Sequence, residues 1–184
     1  MRQLAAVTGV FGVVLASAIS VAAQQPPAAQ SPAATKELVD LMTKAKVDCA
    51  VAENNQVYGG YIAALLIPGA KLTVVSARFK DTTAMTYKLY NKDCMGAYQD
   101  LSAAADAVDR VVFDDIAADG LVAKPKKDMP KDAITVDNKT TKFDSDKDAL
   151  KQAKLSIEEF NKQFASADET YTKFLRLLSA QMKK

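Results

Sequence analysis

Histidine and tryptophan are absent from the 184 residues, and cysteine occurs only twice. Without histidine, the chain cannot assemble a Ser-His-Asp triad, a Cys-His pair or a zinc-hydroxide site of the histidine-ligated type. The two cysteines do not form a Cys-x-x-Cys pair, so a zinc site or a thiol-exchange motif has little support. Chemistry based on carboxylates, lysine, tyrosine or a bound cofactor remains open, but the sequence nominates no catalytic residue and no metal ligand.

A large net charge is also lacking, because 24 Lys and Arg residues oppose 22 Asp and Glu residues. A balance so close to neutral gives no electrostatic case for nucleic-acid binding. Residues 124–184 form the more basic part, with 14 basic and 10 acidic side chains. A solvated surface explains this excess better than an anion-binding surface does.

Residues 1–23 have the order of a secretory signal peptide. Arg2 precedes an apolar run without acidic residues, and Val21-Ala22-Ala23 offers the residues of a cleavage site. An uncleaved anchor is the alternative, because the run from Leu4 to Ala23 is about long enough to span a bilayer. No later run approaches that length. We therefore expect a mature protein without a membrane span, exported to the periplasm or the extracellular space.

A short leader precedes the domain. Residues 24–34, QQPPAAQSPAA, are rich in Pro, Ala and Gln, so we expect them to be disordered. Thr35 is a plausible N-cap, and Leu38 and Met42 follow on one helical face. Residues 35–184 are numerous enough to form a single domain with one substantial core.

The stretch from Tyr61 to Phe79 predicts a β-hairpin. Two apolar runs, Tyr61–Ile67 and Leu72–Ala77, flank Pro68-Gly69. Pro presets the first turn angle and Gly accepts a positive φ at the second, so this dipeptide favours a tight turn. Because both runs are almost wholly apolar, we expect both faces of the hairpin to be covered. Gly59-Gly60 indicates a bulge or a close backbone approach, and a buried helix over the first run is the weaker alternative.

The chain between the hairpin and the last helix is predicted in four parts. They are a helix capped by Asp81 with Met85 and Leu89, a helical or irregular piece with Cys94, Tyr98 and Leu101, a strand at Arg110–Ile116, and a mobile Lys/Pro/Asp-rich loop over residues 122–142 with one extended piece at Ile134–Val136. The predicted fold class is α+β: a small, mainly antiparallel sheet or split barrel flanked by helices, with a long amphipathic C-terminal helix.

The last segment is the clearest helix. Ser156 and Glu159 form an S-x-x-E capping box at its start. A largely aromatic stripe follows at alternating spacings of four and three, made by Phe160, Phe164, Ala167, Tyr171, Phe174, Leu178 and Gln181. A coiled-coil or partner-docking seam is one interpretation. We favour a helix that lays its aromatic face across the sheet, because these side chains are bulky for a two-stranded seam.

Cys49 and Cys94 allow two states. In an oxidising compartment, an even cysteine count favours one disulfide between positions 45 residues apart. Two buried free thiols are the alternative, and the sequence does not separate the two.

Two acidic clusters are weak candidates for chemistry. The first has the i, i+2, i+4 spacing of a calcium loop and comprises Asp144, Asp146 and Asp148. Ala149 stands where such a loop requires glycine, and Leu155 where it requires a bidentate glutamate, so helix N-terminal charge is the sufficient explanation. Asp114 and Asp115 are adjacent on the predicted strand, so their side chains point to opposite faces and cannot form an acid–base dyad.

The exit of the predicted hairpin gathers hydroxyl and cationic side chains, namely Ser76, Arg78, Lys80, Thr82, Thr83 and Lys88. A strand end that meets a helix N-terminus can hold a phosphate through backbone N–H groups and arginine. No glycine-rich loop accompanies the cluster, and ordinary polarity at a helix start accounts for most such clusters.

The passage LTVVSARFKDTTAMTYKL resembles the strand–Ser–helix segment of the FMN-binding split-barrel family, the pyridoxamine 5′-phosphate oxidase-like group. The resemblance covers residues 47–120 and implies that Ser76, Arg78 and Thr83 contact a flavin phosphate. The sequence departs from the family near the helix start, where KDTT stands in place of the expected histidine. The longer passage GGYIAALLIPGAKLTVVSARF resembles a group of exported bacterial proteins of unassigned role.

Two functional hypotheses follow. The leading one is an exported, non-catalytic protein that binds a small ligand or a protein partner, with a homodimer as a further expectation. The alternative, which belongs to a different class, is an FMN-binding split-barrel protein or oxidoreductase.

Overall fold

The computed structural model describes residues 28–54, 60–81 and 94–184. The predicted signal peptide, residues 1–23, and the helix predicted to carry Met85 and Leu89 lie outside these residues. In chain order the elements are α1 (Ser31–Ala45), β1 (Cys49–Asn54), β2 (Gly60–Ile67), β3 (Lys71–Phe79), α2 (Cys94–Ala103), β4 (Ala107–Ile116), β5 (Ala133–Val136), β6 (Lys139–Lys142), α3 (Lys147–Ala153) and α4 (Ile157–Met182).

The six strands form one antiparallel sheet in which each strand pairs with its neighbours in sequence. Strands β1 and β6 are the two edges, and within the described residues they do not pair with each other, so the sheet is open. The predicted α+β class, with a mainly antiparallel sheet and a long C-terminal helix, is confirmed. The sequence predicted either an antiparallel sheet or a split barrel, and the described strands form an open sheet.

The predicted hairpin is present as β2 and β3. Pro68 and Gly69 lie in its turn, Ile67 pairs with Lys71, and Gly69 has a φ of +72°. At the start of β2 the backbones approach closely, because a Cβ added to Gly60 would lie 2.5 Å from the carbonyl oxygen of Ala77. The close approach predicted here is therefore confirmed at Gly60.

The hairpin is covered on both faces, as its two apolar runs predict. One face packs against α1 and α4 in a main core that includes Ile62, Ala64, Leu72, Val74 and Phe113. The other face packs against α2 in a smaller second core that consists of Tyr61, Ala63, Val75, Ala77, Phe79, Ala97 and Leu101. Because successive strand residues point to opposite faces, an unbroken apolar run supplies both cores at once.

Helix α4 lies across the main-core face of the sheet. Its capping box is formed, since the Ser156 hydroxyl accepts from the N–H of Glu159 and the Glu159 carboxylate accepts from the N–H of Ser156. Every member of its predicted stripe is buried except Gln181, which is exposed. The ring centroids of Tyr171 and Phe113 are 4.9 Å apart. The interpretation of α4 as a helix packed on the sheet is confirmed.

Helix α1 begins earlier than predicted. It starts at Ser31, so Thr35 lies inside the helix and residues 31–34 belong to the domain and not to the leader. The cap is not supplied locally. The carboxylate of Asp168 on α4 accepts hydrogen bonds from the N–H groups of Gln30 and Ser31 and from the Ser31 hydroxyl.

The loop predicted over residues 122–142 is the second correction, although its predicted extended piece at Ile134–Val136 is confirmed as part of β5. It contains a β-hairpin, β5 and β6, with Asp137 and Asn138 between the paired residues Val136 and Lys139. Arg110 of β4 fixes this turn, because its guanidinium donates to the carbonyl of Asp137 at 3.1 Å and to Oδ1 of Asn138 at 2.9 Å. The same guanidinium also donates to the last turn of α2, at the Ser102 carbonyl.

Cys49 and Cys94 form a disulfide, with their Cα atoms 6.0 Å apart. Of the two states that the sequence allowed, the structure contains the bridge. It joins the first residue of edge strand β1 to the first residue of α2. Among the described helices, none combines the length and the apolar composition that a membrane crossing requires.

Candidate functional site

The residues predicted to contact a flavin phosphate are only partly described. Ser76 is 5% exposed on the main-core side of β3, opposite Val111. Arg78, two residues further along the same face, forms an ion pair with Asp109 of β4. Thr83 lies outside the described residues, as do Thr82 and Lys88. The strand therefore brings Ser76 and Arg78 together, and one carboxylate already engages the arginine.

Asp114 and Asp115 point to opposite faces of β4, as predicted. Asp114 accepts from the Lys71 ammonium at 3.0 Å and from the Thr73 hydroxyl at 2.8 Å. Asp115 is fully buried beneath α1 and α4. The pair therefore cannot share a substrate.

The acidic cluster of Asp144, Asp146 and Asp148 lies at the start of a helix, as predicted. Asp146 is the N-cap of α3 and accepts from the N–H of Asp148 at 3.0 Å. Asp144 accepts from the N–H of Asp146 at 2.9 Å and forms an ion pair with Lys131. Partial burial raises the pKa of Asp144, but the hydrogen bonds from Lys131 and Asp146 outweigh this effect, so the pKa lies below its ordinary value. Within the described ranges, no group of three or more Cys, Asp or Glu side chains is arranged to hold a metal ion.

A cleft lies between the β5–β6 hairpin and α4, and we call it the hairpin groove. Its volume is about 550 Å³, and an adjoining cleft of about 730 Å³ continues it toward the hairpin turn. The two share Ile134, Thr141 and Gln163. Ile134 and Thr141 are directly paired across β5 and β6, so they point to the same face of the sheet, toward α4.

The floor of the groove is apolar and its helical wall is polar. Phe143 is buried at the floor and packs edge-on against Phe164, with ring centroids 5.3 Å apart. Beside the stripe that it buries, α4 presents hydroxyl and amide groups to the groove through Gln163, Ser166 and Thr170. An apolar floor with a few polar groups around it is the usual lining of a ligand site.

The groove is lined by two basic and two acidic side chains. Lys139 of β6 and Lys162 of α4 line it, and among the described residues neither amino group is within ion-pair distance of a carboxylate. Glu159 also lines it, but its carboxylate is held by Ser156 in the capping box, and these hydrogen bonds lower its pKa. Asp137 at the hairpin turn is the remaining acidic group. Lys139 and Lys162 therefore offer a ligand two positive charges, although the four charges of the lining sum to zero.

Strand β6 borders the groove and is also an edge of the sheet. It pairs with β5 and with no other strand in the described part of the chain. In an antiparallel sheet, half of the backbone N–H and C=O groups of an edge strand point away from the neighbouring strand and can bind another chain.

A second polar site, which the sequence did not indicate, is buried under α1. The side chains of Asp115, Asp132 and Asp168 are 0%, 4% and 3% exposed. Burial raises the pKa of Asp115 to about 6 and that of Asp132 to about 7, although each carboxylate accepts hydrogen bonds that favour its charged form. Aspartate is seldom buried, so no composition rule marks these three residues.

Comparison of the chain with protein-family models, curated proteins and solved structures finds no match.

Proposed function

We propose that this protein is an exported, non-catalytic binding protein whose ligand is an extended, acidic segment of a protein partner. The observation that carries the proposal is the position of edge strand β6 beside the hairpin groove. A peptide laid along β6 would pair with its outward backbone groups. Alternate side chains of that peptide would then point into the groove.

The chemistry of the groove supports a peptide of this kind. Ile134 and Phe143 offer apolar contact, and Gln163, Ser166 and Thr170 offer donors and acceptors for the polar atoms of a peptide. Lysines at both ends of β6, Lys139 and Lys142, discourage indiscriminate pairing with neutral strands. A segment with carboxylates neutralises these charges, so the same lysines that oppose aggregation favour an acidic ligand.

Export is part of the proposal. The signal-peptide pattern of residues 1–23 supports it, and so does the disulfide, because such bonds persist in oxidising compartments.

Two sets of ten-residue peptides test the binding function. The sets are matched in composition, except that one carries two glutamates where the other carries two lysines. Titration into isotopically labelled protein should shift the amide resonances of Lys139–Lys142 and Gln163 with the acidic set only. The double variant Lys139→Glu/Lys162→Glu should bind the acidic set about tenfold more weakly, because two rim attractions become repulsions.

Lys126→Glu is the matched control, since Lys126 is also an exposed lysine without an ion-pair partner among the described residues, but it lies outside the groove. It should leave the affinity within twofold of the parent. Equal binding of both peptide sets, or resonance shifts confined to other elements, would contradict the proposal.

FMN binding through Ser76, Arg78 and Thr83 stays a prediction, as does the homodimer. If the peptide-binding proposal holds and no flavin binds, the purified protein should be colourless, and added FMN should leave its melting temperature unchanged. A yellow protein with flavin absorbance, or a rise in melting temperature on adding FMN, would favour the flavin alternative.

A further inference from the structure

The turn between β4 and Val122 is held by two buried carboxylates. Asp132 accepts from the N–H groups of Ile116 and Val122, each at 2.7 Å, and so fastens both ends of the turn. Asp115 accepts from the N–H groups of Asp119 at 3.1 Å and Gly120 at 3.0 Å, and so fastens its middle. The backbone of this turn has positive φ values at Ala117, Ala118 and Gly120, a conformation that needs such support in non-glycine residues.

The two carboxylates have no cation to balance them. Among the described residues neither belongs to an ion pair, and the nearby ionisable groups are Asp119, Tyr171 and each other. Around Asp115, α4 contributes the Tyr171 hydroxyl at 3.0 Å, α1 contributes the Thr35 hydroxyl at 3.2 Å, and β3 contributes Leu72 as the paired residue. Two buried negative charges with donors but no counter-ion are costly to maintain together.

Asp115 can hold a proton without leaving a hydrogen-bond partner unpaired. Hydroxyl groups both donate and accept, so Thr35 or Tyr171 can rotate its proton away and accept one from a neutral carboxyl group. The backbone N–H groups of Asp119 and Gly120 keep an oxygen acceptor in either state. The surroundings of Asp115 therefore accommodate a neutral carboxyl group.

We propose that Asp115 and Asp132 form an acid-set latch, in which uptake of a proton by the pair tightens the hold of the Ile116–Val122 turn on the sheet, α1 and α4. The tightening follows mainly from relief of the cost of burying the charges, and to a lesser extent from relief of the repulsion that Asp115 exerts on Asp132.

The direction of the pH dependence follows from the pKa values of the pair. Burial raises the pKa of Asp115 to about 6, and burial together with the charges of Asp115 and Asp119 raises the pKa of Asp132 to about 7. Both lie above the ordinary value of 3.8. The folded chain therefore binds protons more tightly than the unfolded chain does, and the contribution of the pair is complete below about pH 4. It is lost as the pH rises through about 6 to 7.

The latch also bears on a cleft at the far end of α1. Ala117 and Ala118 line this cleft of about 580 Å³, together with Met42, Leu66 and Pro68. Loosening of the turn at neutral pH would change one wall of this cleft, so the state of the latch sets its shape.

The wild-type protein provides the first test. Carboxyl carbon resonances of Asp115 and Asp132 should titrate between about pH 5 and 8. Hydrogen exchange of the Gly120 and Val122 amides, corrected for its intrinsic pH dependence, should be about tenfold slower at pH 5 than at pH 8. Titration of both groups below about pH 4.5 would overturn the proposal. Unchanged amide protection across the range would overturn it as well.

Two variants and a control separate the latch from a purely structural role. Asp115→Asn should remove part of the fall in unfolding midpoint between pH 5 and pH 8, which for the parent is about 5 °C, while Asp132 continues to contribute the rest. Tyr171→Phe removes a donor that favours the charged form, so it should move the titration to higher pH. Asp114→Asn, one residue away on the opposite face, should keep the parental pH profile. If the Asp115 variant fails to fold, the wild-type titration and exchange decide. A parental pH profile in Asp115→Asn would count against the latch.

Discussion

Asp168→Ala should lower the free energy of unfolding by about 3 kcal/mol, because it removes the carboxylate that accepts three hydrogen bonds at the start of α1. Two backbone N–H groups and the buried Ser31 hydroxyl lose their acceptor at once, although the Ser31 oxygen still accepts from the N–H of Leu121. The negative charge that complements the N-terminal end of the helix dipole is lost with them. Urea unfolding measures the change, and amide exchange should localise it to the first turns of α1.

Asp40→Ala is the matched control for this substitution. Asp40 is an exposed aspartate within α1 that pairs with Lys36 four residues earlier. Its loss should cost about 0.5 kcal/mol at most, as is usual for an exposed helical ion pair. Equal costs for the two alanine variants would show that Asp168 does not anchor the helix.

Loss of the Cys49–Cys94 bridge should lower the free energy of unfolding by about 2–4 kcal/mol. The bridge joins residues 45 positions apart, and without it the unfolded chain gains conformational entropy. The effect should be largest at α2. This helix buries only Ala97 and Leu101 against the sheet, so few contacts replace the covalent link. Calorimetry of a Cys49→Ala/Cys94→Ala variant, with amide exchange of α2, provides the measurement.

Reductant serves as the control for the bridge. It should lower the melting temperature of the parent toward that of the double variant and leave the variant unchanged. Alkylation of two thiols in the parent without prior reduction would contradict the bridge, and mass spectrometry reads this directly.

The elements that the sequence predicted well are those whose signals are local. Pro68-Gly69 between two apolar runs defines the β2–β3 hairpin with no reference to the rest of the chain. The capping box at Ser156 and the stripe that follows likewise define the start and the buried face of α4.

The missed β5–β6 hairpin had a local signal that lysines and prolines nearby obscured. Asp137 and Asn138 are residues that tolerate a left-handed turn, and they stand between ITV and KTT, both rich in β-branched residues. Asp137 indeed has a φ of +52°. A two-residue turn between short β-branched runs predicts a hairpin even inside a charged segment.

The start of α1 had no sufficient local signal. Its capping carboxylate, Asp168, is 137 residues away from Ser31 in sequence. Pro32 in the first turn was the available hint, because proline is favoured where a helix begins.

The hairpin groove could not be predicted from the sequence either. One wall comes from β5, which the sequence predicted as an extended piece, and from β6, which it predicted as loop; the other comes from the side of α4 next to its buried stripe. Ile134 and Gln163 line the same groove because β5 pairs with β4 and α4 packs across this face of the sheet. Ser76 and Arg78 both lie on β3, and Thr83 lies outside the described residues, so the flavin-phosphate site stays a prediction.

The position of α4 in the chain has a consequence for biogenesis. Every strand is synthesised before residues 157–182, yet this helix carries most of the aromatic side chains that cover the main core. A nascent chain that ends before α4 would therefore expose the sheet face around Ile62, Val74 and Phe113 to water, and such a surface invites association with other chains or with holdase chaperones. Completion of the main core thus waits for the end of translation through α4.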